Sequence, residues 1–417
     1  MHVFASRRRN LTGVTAFFLA LTVFTLTAEA QSLTTLYSFA GGTAGANPAA
    51  GVIAYTGGAL VGTTPYGGAG YGTVYELTPS GSSWNPNVIY TFGGGADGAL
   101  PEASLTLAQH GVLYGTTFAG GTTGNGTVFK LTPPAISGGL WKETPLYSFK
   151  GGSDGSGPMG GVVIGTGGTL YGTTFSGGSG AAGTVFQLSP PSGGSSSWTE
   201  SVIYNFQGGK DGMGPLSGLF QINGALIGTT CCGTDGTVFQ LHKNTLGGWN
   251  KVIIYSFKGY SFGDNPVGVI AFNGAVFGAT YQGGANGQGI VFQLTKPAIS
   301  GRLWTLTTIH AFTGGTDGGS PYGTLAADSN GNLYGTVTTG GTHGAGAVVE
   351  FSPPATAGAQ WTENVLYSFT GCNTSPGCLG DGSQPFAGVV IGANNALFGT
   401  TAFGGTSDYG TVFELVP

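Results

Sequence analysis

The chain is 417 residues long, 40% hydrophobic and 12% aromatic but only 7% charged, with a formal net charge of −5. That composition is too apolar for a disordered, charge-swollen polymer and too poor in clustered Lys and Arg to grip nucleic acid by its phosphates. It predicts a folded protein with a substantial core, in which 84 glycines serve turns and close strand contacts.

Residues 1–30 read differently from the rest. Arg7, Arg8 and Arg9 precede an apolar run from Leu11 to Leu26, and Ala28-Glu29-Ala30 follows just before Gln31. This is the pattern of a secretory signal peptide cleaved after Ala30. The run is short for a membrane anchor and broken by threonines, and no cysteine follows the cut to carry a lipid. Nine Lys+Arg and sixteen Asp+Glu remain after cleavage. We expect a secreted or extracytoplasmic monomer, in the periplasm or at the cell surface, with no transmembrane segment in the mature chain and no nucleic-acid partner.

From Gln31 onward the sequence repeats itself. The run Leu-Tyr-Gly-Thr-Thr at Leu113 and Leu170 returns in variants at Leu60, Leu226, Val276, Leu333 and Leu397. A second run, Gly-Thr-Val-Phe, follows each copy, from Gly72, Gly126, Gly183, Gly236, Gly289, Gly346 and Gly410. A third, Leu-Tyr-Ser-Phe, stands at Leu36, Ile89, Leu146, Ile203, Ile254, Ile309 and Leu366, and a Gly-Val-Ile type run precedes each Leu-Tyr-Gly-Thr-Thr. Four strand-sized runs in each of seven units predict an all-β fold, a seven-bladed β-propeller with four antiparallel strands per blade spanning residues 31–417. Between the first two strands lie pairs that accept positive φ, among them Gly57-Gly58, His110-Gly111, Gly167-Gly168, Asn223-Gly224, Asn273-Gly274, Asn330-Gly331 and Asn394-Asn395, as type I′ turns require. Blades cover one another on both faces, so low charge and strand glycines follow from the packing.

The last unit lacks its own Leu-Tyr-Ser-Phe run, whereas the mature chain begins with one at Leu33 to Phe39. We therefore expect the N-terminal strand to pair beside Gly410–Leu415 and close the ring; the alternative register gives seven complete blades and no latch.

The Leu-Tyr-Gly-Thr-Thr run, the glycine loop and Gly-Thr-Val-Phe-Lys-Leu-Thr-Pro together resemble the Gloeo/Verruco (GloVer) tandem repeat of bacterial exported proteins, in seven copies across the mature chain. Asp328 to Val337 also looks like the blades of regulator-type propellers. The resemblance implies an extracytoplasmic repeat protein, often carrying a sorting anchor, with no established activity. No such anchor is recognisable here.

Several residues invite chemistry. Aspartate stands four residues before proline at Asp97, Asp154, Asp211, Asp317 and Asp381, with Ala44 and Phe262 in the other two units. Each suits a turn cap, since one carboxylate per loop is few for calcium; calcium is the one cofactor these loops raise. Gly-x-Ser-x-Gly occurs at Gly151 and Gly259, but Ala96, Lys210 and Thr316 replace Ser153 in other units and no helix follows to make a nucleophile elbow. His110, His242, His310 and His343 fall at different points of the repeat, without metal-ligand spacing. Trp84, Trp141, Trp198, Trp249, Trp304 and Trp361 share one repeat position, which argues for packing. Cys372 and Cys378 flank a Pro-Gly turn and are disulfide candidates, whereas the adjacent Cys231 and Cys232 either bridge each other or stay reduced. The aromatics just after the second strand, Tyr66, Phe118, Phe175, Tyr281 and Phe403, are the candidate ligand contacts, on a loop face suited to an extracellular glycan or a surface protein. Plugging the joints between blades is their alternative role. No catalytic set is visible, so a binding or structural module is expected, with a polysaccharide lyase or glycosidase as the alternative.

Overall fold

A computed structural model describes residues 31–417 except 137, 234, 300–303, 357 and 372–379. The expected signal peptide at 1–30 and the Cys372–Cys378 pair lie outside the described residues. The repeat becomes seven antiparallel sheets arranged as a β-propeller, with single 3-10 turns as its only helical elements among the described residues. In the third blade, for example, the inner strand is Val163–Ile164, followed outward by Leu170–Thr174, Thr184–Ser189 and Thr199–Asn205. The second and third strands pair from Leu170↔Leu188 to Thr174↔Thr184, and the corresponding pairing in the second blade joins Leu113–Thr117 to Thr127–Thr132. The sixth sheet has a fifth strand, because Gly319–Pro321 and Ala326–Ala327 both pair with Leu333–Thr339.

The ring closes through its ends. Ser32–Ser38 is the outer strand of the seventh blade and pairs antiparallel with Thr411–Val416, from Ser32↔Val416 to Ser38↔Thr411. The latched register is therefore the observed one.

Most turns before the second strand behave as their residues require. Both central residues have positive φ at Gly57-Gly58, His110-Gly111, Gly167-Gly168, Asn223-Gly224, Asn273-Gly274 and Asn394-Asn395. The seventh differs: only Gly331 is positive, because Asp328 holds a wider turn by accepting the amides of Asn330 at 2.8 Å and Asn332 at 2.9 Å. An Asx cap there does what the left-handed pair does elsewhere.

Each joint between blades is built the same way. The phenylalanine ending an outer strand meets an aromatic ring of the following blade edge-on. The pairs are Phe92–Phe129, Phe149–Phe186, Phe206–Phe239, Phe257–Phe292, Phe369–Phe413 and, across the closure, Phe39–Tyr75, with centroids 5.0–5.3 Å apart. In the sixth blade Val349 stands at the aromatic position, and Phe312 reaches Phe351 instead at 6.1 Å. The receiving ring lies across the glycine of the second strand, so a Cβ at Gly228 or Gly278 would sit 2.7 Å from Phe239 or Phe292. Polar stitching runs beside the rings. The first threonine of Gly-Thr-Thr donates to a carbonyl in the segment leading into the next inner strand, as Thr63 does to Ala103 at 3.1 Å, Thr173 to Ser217 at 3.1 Å and, across the closure, Thr400 to Ala50 at 3.0 Å. The tryptophans pack back onto the preceding blade, Trp198 on Tyr114, Trp249 on Tyr171, Trp361 on Phe277 and Trp84 on Phe398.

Replacing Gly172 with Ala drives a methyl into Phe186 and is expected to cost about 1–3 kcal/mol of unfolding free energy, seen as a lower denaturant midpoint. Deleting residues 31–39 should lower the thermal midpoint and give oligomers in size exclusion, because Thr411–Val416 becomes an open edge. A monomer of unchanged thermal midpoint would contradict the latch.

Candidate functional site

Two loops of each blade make one face of the disc. The loop carrying Asp-Gly before proline leads from one outer strand to the next inner strand, and the glycine loop joins the second and third strands. They meet in single antiparallel bridges: Ala46 with Tyr66, Ala99 with Ala119, Ser156 with Ser176, Met213 with Cys232 and Ser383 with Phe403.

The five aromatics on this face occupy two adjacent repeat positions, so they do not form one ring. Tyr66 and Phe403 stand at the bridge position of neighbouring blades, the first and seventh, and are exposed at 51% and 37%. Phe118, Phe175 and Tyr281 come one residue earlier and are half-buried. Phe118 lies over Gly157 and Phe175 over Gly214 of the following loops, while Tyr281 meets Tyr322 edge-on at 5.6 Å. Cys231 takes this position in the fourth blade and is bonded to Cys232; its sulfur lies 2.9 Å from the Gly214 carbonyl.

On the axis, inner-strand residues of all seven blades line a cavity of about 420 Å³. Its walls are mostly glycine, alanine, serine and short aliphatic residues. Larger groups enter from Phe220 of an inner strand and from the residue after the loop proline, which places Glu102, Met159, Tyr322 and Phe386 in the lining. Phe386 meets Tyr322 edge-on at 5.5 Å, so Tyr281, Tyr322 and Phe386 form a continuous aromatic arc. Burial raises the Glu102 carboxyl above the usual carboxylate range, and burial, together with the charges of Glu102 and Tyr281, raises the Tyr322 phenol. Sequence reasoning passed over this position. Its signal was variability: Ala49, Glu102, Met159, Leu216, Val267, Tyr322 and Phe386 follow prolines that never change.

The loop aspartates lie farther out. Each accepts the backbone N–H at the start of its loop, from Gly93 to Asp97 at 2.6 Å, Lys150 to Asp154 at 2.6 Å, Gln207 to Asp211 at 2.8 Å, Thr313 to Asp317 at 2.8 Å and Thr370 to Asp381 at 2.8 Å. The tyrosine of the outer strand donates to the same carboxylate from Tyr90, Tyr147, Tyr204 and Tyr367, with His310 in that place beside Asp317.

A residue on the following outer strand then faces each cap. In the fourth blade it is Lys251, whose ammonium sits 2.7 Å from Asp211 and 4.8 and 4.7 Å from the ring centres of Tyr204 and Phe206. In the second, third and sixth blades the same register holds Glu143, Glu200 and Glu363. One oxygen of each is buried without a hydrogen-bond partner. Burial, reinforced by Asp97, pushes Glu143 up to about 7; burial, the Asp154 charge and a hydrogen bond with Asp154 push Glu200 up to about 8. Burial also raises Glu363, with Asp317 adding to it and His310 opposing. Where the aspartate is missing, at Ala44 and Phe262, the facing register holds Pro86 and Leu306.

Among the described residues no three His, Cys, Asp or Glu side chains group as metal ligands, and no helix is long and apolar enough to cross a membrane. His110 sits in a turn with positive φ and His242 on a third strand.

Fold and face together define a seven-bladed β-propeller built from near-identical blades, with one recessed axial site on its loop face. The chain belongs to the Gloeobacter/Verrucomicrobia repeat family, which it matches over residues 18–239 and 231–417. No curated protein matched its sequence. Solved structures with a similar fold include a putative oxidoreductase (glucose dehydrogenase) of Thermus thermophilus, at 15% identity and TM-score 0.46, covering 92% of this chain and 99% of that one. A putative 6-phosphogluconolactonase from Bacteroides uniformis is 13% identical with TM-score 0.48, covering 76% and 85%. The PQQ-bound aldose sugar dehydrogenase of Streptomyces coelicolor is 13% identical with TM-score 0.46, covering 92% and 98%.

The carboxyl pairs set a pH dependence. Glu143 and Glu200 keep their protons in the folded chain at a pH where the unfolded chain has released them, so their contribution is fully favourable below about pH 4.5 and is lost as pH rises through about 7 and 8. The thermal midpoint should therefore fall between pH 5 and 8, and Glu143→Gln with Glu200→Gln should flatten the fall. Glu200→Lys copies the Lys251–Asp211 arrangement beside Asp154 and should raise the midpoint at pH 8. A slope unchanged by all three would remove the pairs as its source.

Proposed function

We propose that this protein is an exported binding module that holds an extracellular polysaccharide on its loop face, with a sugar residue entering the mouth of the central channel. The observation that carries this reading is the aromatic arc of Tyr281, Tyr322 and Phe386 at the edge of a cavity of about 420 Å³. Aromatic faces beside a backbone-lined recess suit pyranose rings, which offer apolar C–H patches and hydroxyls together. A concave mouth of this size fits a sugar unit better than the broad, flatter patch of a protein partner. Exposed Tyr66 and Phe403, on adjacent blades, extend the same face outward and would contact further units of the polymer. Phe118 and Phe175, lying over loop glycines, act as joint fillers more than as ligand contacts. Export through a signal peptide cut after Ala30 fits a chain whose ligand is outside the cytoplasm.

A glycan screen on residues 31–417, run with and without calcium, tests the reading. Tyr322→Ala and Phe386→Ala should each weaken the best glycan about tenfold, the loss of one ring contact, while the thermal midpoint moves little. Binding that survives both changes, or no glycan binding at all, would reject the proposal. The same oligosaccharides incubated with the protein should stay intact; shortened products would favour the enzyme alternative. Sequencing the exported protein from its N-terminus should begin at Gln31.

A further inference from the structure

The channel mouth holds one formal charge. Among the lining residues Glu102 is the only acid, and none is lysine or arginine. Its carboxyl is half-buried, with no hydrogen bond from any described residue, and burial alone accounts for its raised pKa. This sets it apart from the loop aspartates, each of which is held by a backbone amide and a neighbouring side chain. The carboxyl stays open to the cavity and is not engaged by the protein, so it is free to pair with a cation arriving there, in a setting less hydrated than bulk water.

The molecule already contains such an arrangement. At the joint before the fourth blade the Lys251 ammonium lies 2.7 Å from Asp211 and within 5 Å of the Tyr204 and Phe206 rings. Carboxylate and ring faces together stabilise an ammonium more than either does alone, because both present negative potential to it. The same residue types line the mouth without a lysine: Glu102 and, across the channel, Tyr322 and Phe386, with the Glu102 charge acting on the Tyr322 phenol. The residues that make this setting come from the second, sixth and seventh blades, so it occurs once in the ring.

We propose that the channel mouth is a subsite for an amino sugar, whose ammonium pairs with Glu102 while its ring rests against Tyr322 and Phe386. This rests on the polysaccharide-binding reading and narrows it to polymers bearing free amines. Negatively charged glycans would be repelled, and N-acetylated ones would leave the carboxylate unpaired.

The test is calorimetric binding of a chitosan oligosaccharide, with free amines, against the chitin oligosaccharide of equal length, at a pH where the amines are protonated. The free-amine form should bind at least tenfold tighter, and the preference should shrink as salt is raised. Glu102→Gln should abolish the preference by weakening the free-amine form without weakening the acetylated one; Phe386→Ala should weaken both forms. Equal binding of both forms by the native chain, or a preference that persists in Glu102→Gln, overturns the amino-sugar assignment and leaves the polysaccharide reading standing. Absence of binding to every oligosaccharide overturns both. A lysine-rich peptide that binds through Glu102 where the sugars do not would replace the sugar with a protein partner.

Discussion

The whole ring depends on one contact made seven times, an aromatic edge pressed onto an aromatic face across each joint between blades. A single pair of this kind is worth about 0.5–1.5 kcal/mol beyond the area it buries. Its structural effect is larger, because it fixes the angle and spacing at which one twisted sheet meets the next. The sixth blade shows how firmly the requirement is held. With Val349 at the usual place, the partner ring shifts two residues along the same strand to Phe351, and Phe312 still finds an aromatic to meet. The glycine of Leu-Tyr-Gly-Thr-Thr belongs to the same device, since the receiving ring occupies the space its side chain would need. That glycine is retained in all seven copies, including Gly335, where Leu325 rather than a ring comes close.

Low charge is a consequence of this packing. Both faces of every sheet are covered, so buried polar groups find partners inside the protein: threonine hydroxyls at carbonyls leading into the next inner strand or at a threonine of the neighbouring strand, and aspartates at amides at the start of their own loops. The few ionisable groups that face one another at the joints then behave as buried groups do. Where two carboxyls face each other one keeps its proton, as Glu200 does beside Asp154, or a lysine takes the second place, as Lys251 does with Asp211. The lysine leaves the joint neutral, and the retained proton leaves it one negative charge instead of two.

Fold and latch were legible because a fourfold pattern repeated seven times admits few architectures, and because a stray Leu-Tyr-Ser-Phe run at the start matches the one absent at the end. The tryptophan position, too, yielded to its regularity. What repetition could not convey was which side chains turn inward at the top of the channel. Tyr66 and Phe403 looked equivalent to Phe118 and Phe175 in a linear reading, yet one step along the chain at a strand end turns a ring from the joint to the surface. The facing pairs Asp97–Glu143 and Asp154–Glu200 are separated by 46 residues in sequence and by one blade in space, so no local motif announces them.

Repetition and specificity pull in opposite directions in such a ring. Residues that maintain the joints must stay alike, since every blade meets the same neighbour geometry. A ligand on the axis, by contrast, is met by each blade from a different direction, and a sevenfold ring of identical groups would recognise only a sevenfold object. Recognition of an asymmetric molecule therefore requires positions where the copies diverge without disturbing the joints. The residue after the loop proline satisfies both conditions. Its backbone follows the proline into the inner strand, and in five of the seven blades it lines the channel, as alanine, glutamate, methionine, tyrosine or phenylalanine, whereas Val267 packs into the core of a joint. The same reasoning explains why the loop aspartates, alike in five units and engaged with their own loops, hold the face in shape while the residues after the prolines are left free to differ.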